Sequence, residues 1–181
     1  DIDKELKFIE KNKDQVISIG EIGMDFHWAD KEKTIKQQSD NFRKIIRFAK
    51  KINKPIVIHS RKAEKECIDI MEKELPNNEI PVINHCFGGK KKLIKRGADL
   101  GFNFSVPAVI KKLQHFQTLV EIVPIEQLLT ETDGPYLSPY TEGYNEPSFV
   151  VESIKMIAKI KNLTEKETEE QIWKNFCRKF N

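Results

Sequence analysis

Four side chains able to hold a metal recur in one kind of place along this sequence, at the ends of short apolar runs. Glu21 follows VISIG, His59 closes PIVIH, His85 closes IPVINH and Asp133 closes QLLTETD. A run suited to burial that stops in a carboxylate or an imidazole points to a site rather than a surface, because an unpaired charge is costly inside a core. Each residue also has an ordinary reading. His59 or His85 can be a satisfied core histidine, Glu21 a cap for the following turn, and Asp133, ahead of Gly134-Pro135, an Asx-turn residue. Together they make two imidazoles and two carboxylates, the mixed nitrogen and oxygen donors used for hard and borderline divalent cations. Their recurrence at the same end of four runs outweighs the four separate readings.

The elements that must position them follow from periodicity. Residues 16–20, 55–59, 80–85, 98–106 and 127–133 are short, β-branched or aromatic, and mostly apolar on both faces. That is the pattern of strands in a parallel sheet covered on two sides. Phe42, Ile45, Ile46 and Ala49 recur at helical spacing after the first run, as do Ala63, Cys67, Ile70 and Met71 after the second. Pro147 is placed to open a helix carrying Val150, Ile154, Ile157 and Ala158. Thr164 to Glu167 forms a capping box for a last helix through Ile172, Trp173 and Phe176. Repeated βα units with apolar strands imply right-handed crossovers, in either a doubly wound sheet or a (β/α)8 barrel. In a barrel the carboxyl ends of the strands surround one axial pocket, which is where the four candidates fall.

Composition narrows the class. A chain of 181 residues suits one domain, with a core burying roughly 70% of the unfolded surface. A net charge of +3, with Lys and Asp/Glu interspersed, permits a nucleic-acid partner without arguing for one. Three cysteines, Cys67, Cys86 and Cys177, have no CxxC spacing and read as reduced thiols. No run approaches the ~20 apolar residues of a membrane span, and no signal-peptide pattern opens the chain. The expectation is a soluble, cytoplasmic protein.

EIGMDFHW, PIVIHSR, INHCFGG, TETDGPYLSP and NEP, in that order, resemble the TatD family of metal-dependent deoxyribonucleases in the amidohydrolase superfamily. The resemblance implies an α/β fold, a TIM-type (β/α)8 barrel. It also implies up to two divalent ions, whether Mg, Mn or Zn, and hydrolysis of phosphodiester bonds in DNA. Carried onto this chain, Glu21 would be shared by both ions, His59 and His85 would complete one site, and Asp133 would serve the other and orient or deprotonate the attacking water. Arg61, two residues past His59, is expected to reach a substrate phosphate as a bidentate donor. Asp25 and His27, on the loop after Glu21, are further substrate-binding candidates, and Trp28 beside them either stacks on a base or packs its own loop. Lys90 to Lys92 read as a solvated helix face.

Two departures qualify the resemblance. The family begins with a strand ending in His-x-His, and the four histidines here, His27, His59, His85 and His115, include no such pair. A barrel of ~250 residues spends about 30 on each βα unit, so this length accommodates five units and a terminal helix. The expectation is a single, N-terminally truncated domain holding the last five βα units. A fragment of a longer chain is favoured; a second polypeptide supplying the missing strands, or a degenerate barrel, are the alternatives. Exposed apolar sheet edges would then promote self-association. In addition, Gly143-Tyr144 stand ahead of Asn145-Glu146-Pro147 where the family has a basic residue. The functional alternatives are a hydrolase of another ester or amide, such as an aminoacyl-tRNA bond, and a catalytically inactive binding module.

Overall fold

The computed structural model describes residues 1–180. Strands and helices alternate along it: α1 (Ile2–Lys11), β1 (Ile19–Gly23), α2 (Lys31–Lys51), β2 (Ile56–His59), α3 (Glu64–Glu74), β3 (Val82–Asn84), α4 (Lys91–Asp99), β4 (Asn103–Pro107), α5 (Gln114–Ile122), β5 (Leu128–Glu131), α6 (Val150–Lys161) and α7 (Glu165–Phe180). The strands follow one another in the sheet order β1-β2-β3-β4-β5, an open series rather than a ring. This is the α/β architecture of a barrel wall, incomplete at five strands. The chain divides into two units, Asp1–Gly89 and Lys90–Lys179.

In the first unit β1, β2 and β3 run parallel, with Ile56 opposite Val82 and Ile58 opposite Asn84. Their apolar side chains Ile19, Ile22, Ile56, Ile58, Val82 and Ile83 are buried. So are Phe42, Ile46 and Ala49 of α2, and Cys67, Ile70 and Met71 of α3 with Ala63 just ahead of it. The helical spacing read from the sequence thus marks the faces that close over the strands. Each such aliphatic side chain contributes roughly 1.5–3 kcal/mol by leaving water. Arg43 and Arg47 of α2 hold Glu74 at the end of α3, Arg43 Nη1 at 2.9 Å and Arg47 Nε at 2.8 Å. Arg47 is bidentate, since its Nη2 also donates to Glu74 Oε1 at 2.9 Å. The Arg47 hydrogen bond, aided by Arg43 and against partial burial, holds the Glu74 carboxyl below its ordinary range.

The strand β1 starts later than the apolar run suggests, at Ile19, and continues through Glu21 to Gly23. Its register against β2 slips, because Ile19 faces Ile56 while Ile22 faces Ile58. Three steps on β1 match two on β2, the signature of a β-bulge, which re-aims the side chain it carries. Glu21 lies within that slip. Gly23 shows why the chain can pass so close to β2: its φ is +141°, and a Cβ there would lie 1.9 Å from the carbonyl oxygen of His59.

In the second unit β4 and β5 pair in parallel from Phe104 opposite Leu128 to Pro107 opposite Glu131. The fourth apolar run is shorter as a strand than expected. Its first residues, Ala98 and Asp99, end α4, and Gly101 with φ +78° makes the turn into β4. Lys90 to Lys92 sit exposed at the start of α4, the solvated face their sequence suggests. Helices α6 and α7 form where Pro147 and the Thr164–Glu167 capping box place them. Thr164 Oγ1 donates to Glu167 Oε2 at 2.7 Å, and the Glu167 amide returns to Thr164 Oγ1 at 3.2 Å.

Their phases differ from the apolar reading. On α6 the buried residues are Glu152, Ser153, Ile157 and Ala158, with Val150 and Ile154 only half-buried. On α7 they are Thr168, Ile172 and Asn175, while Trp173 is 64% exposed. Polar groups set these phases. Ser153 Oγ donates to the Val106 carbonyl at 2.9 Å, and Asn175 Nδ2 donates to the carbonyls of Ile125 and Leu128 at 2.7 and 2.8 Å. Those backbone oxygens need partners once buried, and the side chains supply them.

Candidate active site

The first unit gathers Glu21, inside β1, with His59 at the carboxyl end of β2 and His85 just past that of β3. The backbone fixes this, since the Met24 amide donates to the His59 carbonyl at 3.1 Å and the His85 amide to the Ile58 carbonyl at 3.0 Å. Glu21 lies between the imidazoles, with Oε2 3.6 Å from His59 Nδ1 and Oε1 3.9 Å from His85 Nε2. The Glu21 side chain is half exposed, whereas that of His85 is 12% exposed. Among the described residues, no three His, Cys, Asp or Glu side chains stand close enough together to form a ready metal site. The donor chemistry nevertheless fits a borderline divalent cation, because one carboxylate presents each of its oxygens to a different imidazole nitrogen.

His59 has a second partner. Its Nε2 lies 2.8 Å from Asp25 Oδ2. The other oxygen of Asp25 accepts from the amides of His27 at 2.7 Å and Trp28 at 2.9 Å. Gln38 of α2 secures the same residue by its backbone: the Asp25 amide donates to Gln38 Oε1 at 2.8 Å, and Gln38 Nε2 donates to the Asp25 carbonyl at 3.0 Å. Partial burial pushes the Asp25 carboxyl up, but the bonds from Trp28, His59 and His27 prevail and hold it below the ordinary carboxylate range. Asp25 therefore spends its carboxylate on this network. The sequence shows an acid on a loop, and nothing in local spacing links it to a histidine on another strand.

Arg61, His27 and Trp28 form the rim beside this network. The Trp28 ring is 80% exposed, with the Arg61 guanidinium 5.7 Å from its centroid and the His27 ring edge-on at 4.5 Å. His27 Nδ1 is buried without a hydrogen-bond partner. Cys67 beneath the site is a buried free thiol whose pKa burial raises to about 12, so it is no nucleophile.

In the second unit Asp133 follows β5 with φ +61°, and its carbonyl accepts from the Tyr136 amide at 3.0 Å. Its loop is organised by a residue whose role periodicity does not disclose. Asn145 is buried, and its amide nitrogen donates to the carbonyls of Thr132, of Tyr136 at 2.7 Å and of Leu137 at 3.3 Å. The Asn of Asn-Glu-Pro is thus a staple for the segment that carries Asp133. On β5 itself Glu131 accepts a hydrogen bond from Ser105 of β4.

The whole chain, residues 1–181, matches the family described as TatD related DNase. The chain belongs to that family. An uncharacterized metal-dependent hydrolase of Methanocaldococcus jannaschii is 36% identical over 179 residues, covering 99% of this chain and 68% of the relative. The deoxyribonuclease TATDN3 of Homo sapiens is 31% identical over 182 residues, covering 99% of this chain and 65% of the relative. This TatD-family chain therefore spans about two thirds of the length of these relatives. The fold agrees with solved TatD structures. The TatD homolog YJJV of Escherichia coli superposes with a TM-score of 0.87 at 20% identity, over 99% of this chain and 70% of the other. A TatD-family hydrolase of Entamoeba histolytica gives 0.83 at 24% identity, over 99% and 68%. Among the described residues no helix is long and apolar enough to cross a membrane.

Proposed function

We propose that this chain carries the cation-binding and proton-handling residues of a divalent-metal-dependent hydrolase that cleaves phosphodiester bonds in DNA. The observation that carries the reading is Glu21, each of whose oxygens faces one imidazole, His59 Nδ1 at 3.6 Å and His85 Nε2 at 3.9 Å. The names of the relatives, metal-dependent hydrolase and deoxyribonuclease, support it. A bound cation supplies Lewis acidity, lowering the pKa of water toward neutrality and offsetting phosphate charge. Glu21 is the anionic donor that balances the cation. His59 and His85 are neutral donors, and imidazole favours Mn or Zn over Mg.

Asp133 takes the proton of the attacking water. Its carboxylate lies just past β5, on a loop whose Tyr136 carbonyl Asn145 binds. Arg61 contacts a substrate phosphate, where its fork of donors suits two oxygens at once. Trp28 beside it offers a face to an unpaired base, and such stacking contributes ≈ 1–3 kcal/mol per base. Cys67, Cys86 and Cys177 are thiols rather than disulfides, which suits the reducing cytoplasm.

The test is cleavage of fluorescently labelled DNA in Mn2+, Zn2+ or Mg2+ and in chelator. Cleavage that needs the ion and is lost in Glu21→Gln supports the reading. Cleavage of a carboxylic ester or an aminoacyl-tRNA but not of DNA would move it to another hydrolase. Ion binding without any hydrolysis would leave a binding module.

A further inference from the structure

The bonds around Asp25 make a chain of command from a helix to the candidate site. Gln38 fixes the backbone of Asp25 through both its amide and its carbonyl. The amides of His27 and Trp28 fix Oδ1, so that only Oδ2 remains to face His59 Nε2, at 2.8 Å. An ionised carboxylate only accepts, so the neutral imidazole must carry its proton on Nε2 to bond it. The lone pair is then left on Nδ1, the nitrogen that faces Glu21 Oε2 at 3.6 Å.

We propose that Asp25 is a positioning residue that sets the His59 tautomer, keeping Nδ1 unprotonated and aimed at Glu21 so that it can donate to a divalent cation. The proposal rests on the metal-binding reading above and adds the residue that prepares one donor for it. It also gives Asp25 a different task from substrate contact. Carboxylates that orient an imidazole in this way typically change metal affinity by 10–100-fold when removed.

Asp25→Asn separates this role from a merely structural one. The asparagine keeps an oxygen to accept from the His27 and Trp28 amides, so the loop stays capped. In place of Oδ2 it presents an NH2 donor to His59 Nε2, which must then accept. The imidazole proton moves to Nδ1 and points at Glu21. Two readouts follow. A long-range 1H–15N spectrum of the metal-free protein at mildly alkaline pH should show His59 protonated on Nε2 in the wild type and on Nδ1 in Asp25→Asn. Titration with Mn2+ or Zn2+ should show about 10-fold or more weaker binding in the variant, with the melting temperature within a few degrees of wild type.

A wild-type His59 protonated on Nδ1, or an Asp25→Asn variant that binds the ion as tightly as wild type, would overturn the proposal. If the variant does not fold, the wild-type tautomer still decides, together with Gln38→Ala, which frees the Asp25 backbone and should weaken ion binding in the same direction. Failure of wild-type protein to bind any divalent ion would instead strike the metal-binding reading, and the spectrum would tell the two apart.

Discussion

At the scale of single residues, the candidate donors were legible because their types conflict with their surroundings. Glu21, His59, His85 and Asp133 each end an apolar run, and a polar group at such a place asks for an explanation. The networks that aim them were not legible. Asp25 meets His59 across 34 positions of sequence, and Asn145 reaches back to the carbonyls of Thr132 and Tyr136. Neither contact leaves a local period. If Asp133 handles the proton of the attacking water, Asp133→Asn keeps its shape and loses its basicity. We expect DNA hydrolysis to fall by ~10²-fold or more while DNA binding persists, measured as steady-state cleavage beside fluorescence anisotropy. An unchanged cleavage rate would remove Asp133 from the mechanism.

At the scale of elements, the sequence marked most strands and helices through their apolar period, and lost the phase where polar side chains decide it. The turn of α6 toward Ser153 and of α7 toward Asn175 follows from unpaired carbonyls in Val106, Ile125 and Leu128. Helices α1 and α5 were missed altogether. α1 has no fully buried residue, although Ile2, Leu6 and Ile9 recur at helical spacing and are half-buried. The register slip in β1 was also invisible, although Glu21 lies within it. The close approach of Gly23 to β2, just past that slip, is testable. A Cβ at 1.9 Å from the His59 carbonyl, on a backbone at φ +141°, has nowhere to go. Gly23→Ala should cost about 2 kcal/mol or more and weaken ion binding, read by thermal melting and titration; an unshifted melt would contradict the close approach.

The α2–α3 corner makes a pH prediction. The Glu74 carboxyl is held below its ordinary 4.5 by Arg47 and Arg43. A depressed folded-state pKa adds stability that is fully present above the unfolded value and is lost as pH falls through the folded one. Unfolding free energy should therefore decline on acidification below about pH 4.5. Glu74→Gln should lose up to about 1 kcal/mol at pH 7, where the partly solvated arginines temper the gain, and flatten the acid slope. Denaturant titration across pH checks both.

At the scale of the whole molecule, the open order β1-β2-β3-β4-β5 gives β1 and β5 one neighbour each. A sheet edge offers unpaired backbone groups to other chains. The isolated chain is expected to self-associate at high concentration, visible by analytical ultracentrifugation. Joining to its N-terminus a segment of three βα units bearing His-x-His should raise the melting temperature and any ion-dependent cleavage of DNA. Equal stability and equal cleavage with and without that segment would contradict the barrel account. The family motifs made the barrel legible from the sequence, since they name strand ends in order.

Glu21, His59 and His85 together are proposed to hold a divalent cation. Calorimetric titration of Mn2+ or Zn2+ into the wild type and into His59→Ala and His85→Ala tests it most directly. Binding is expected to be saturable in the wild type and about 10-fold or more weaker in each variant, with both still folded. Identical binding curves for all three proteins would contradict it.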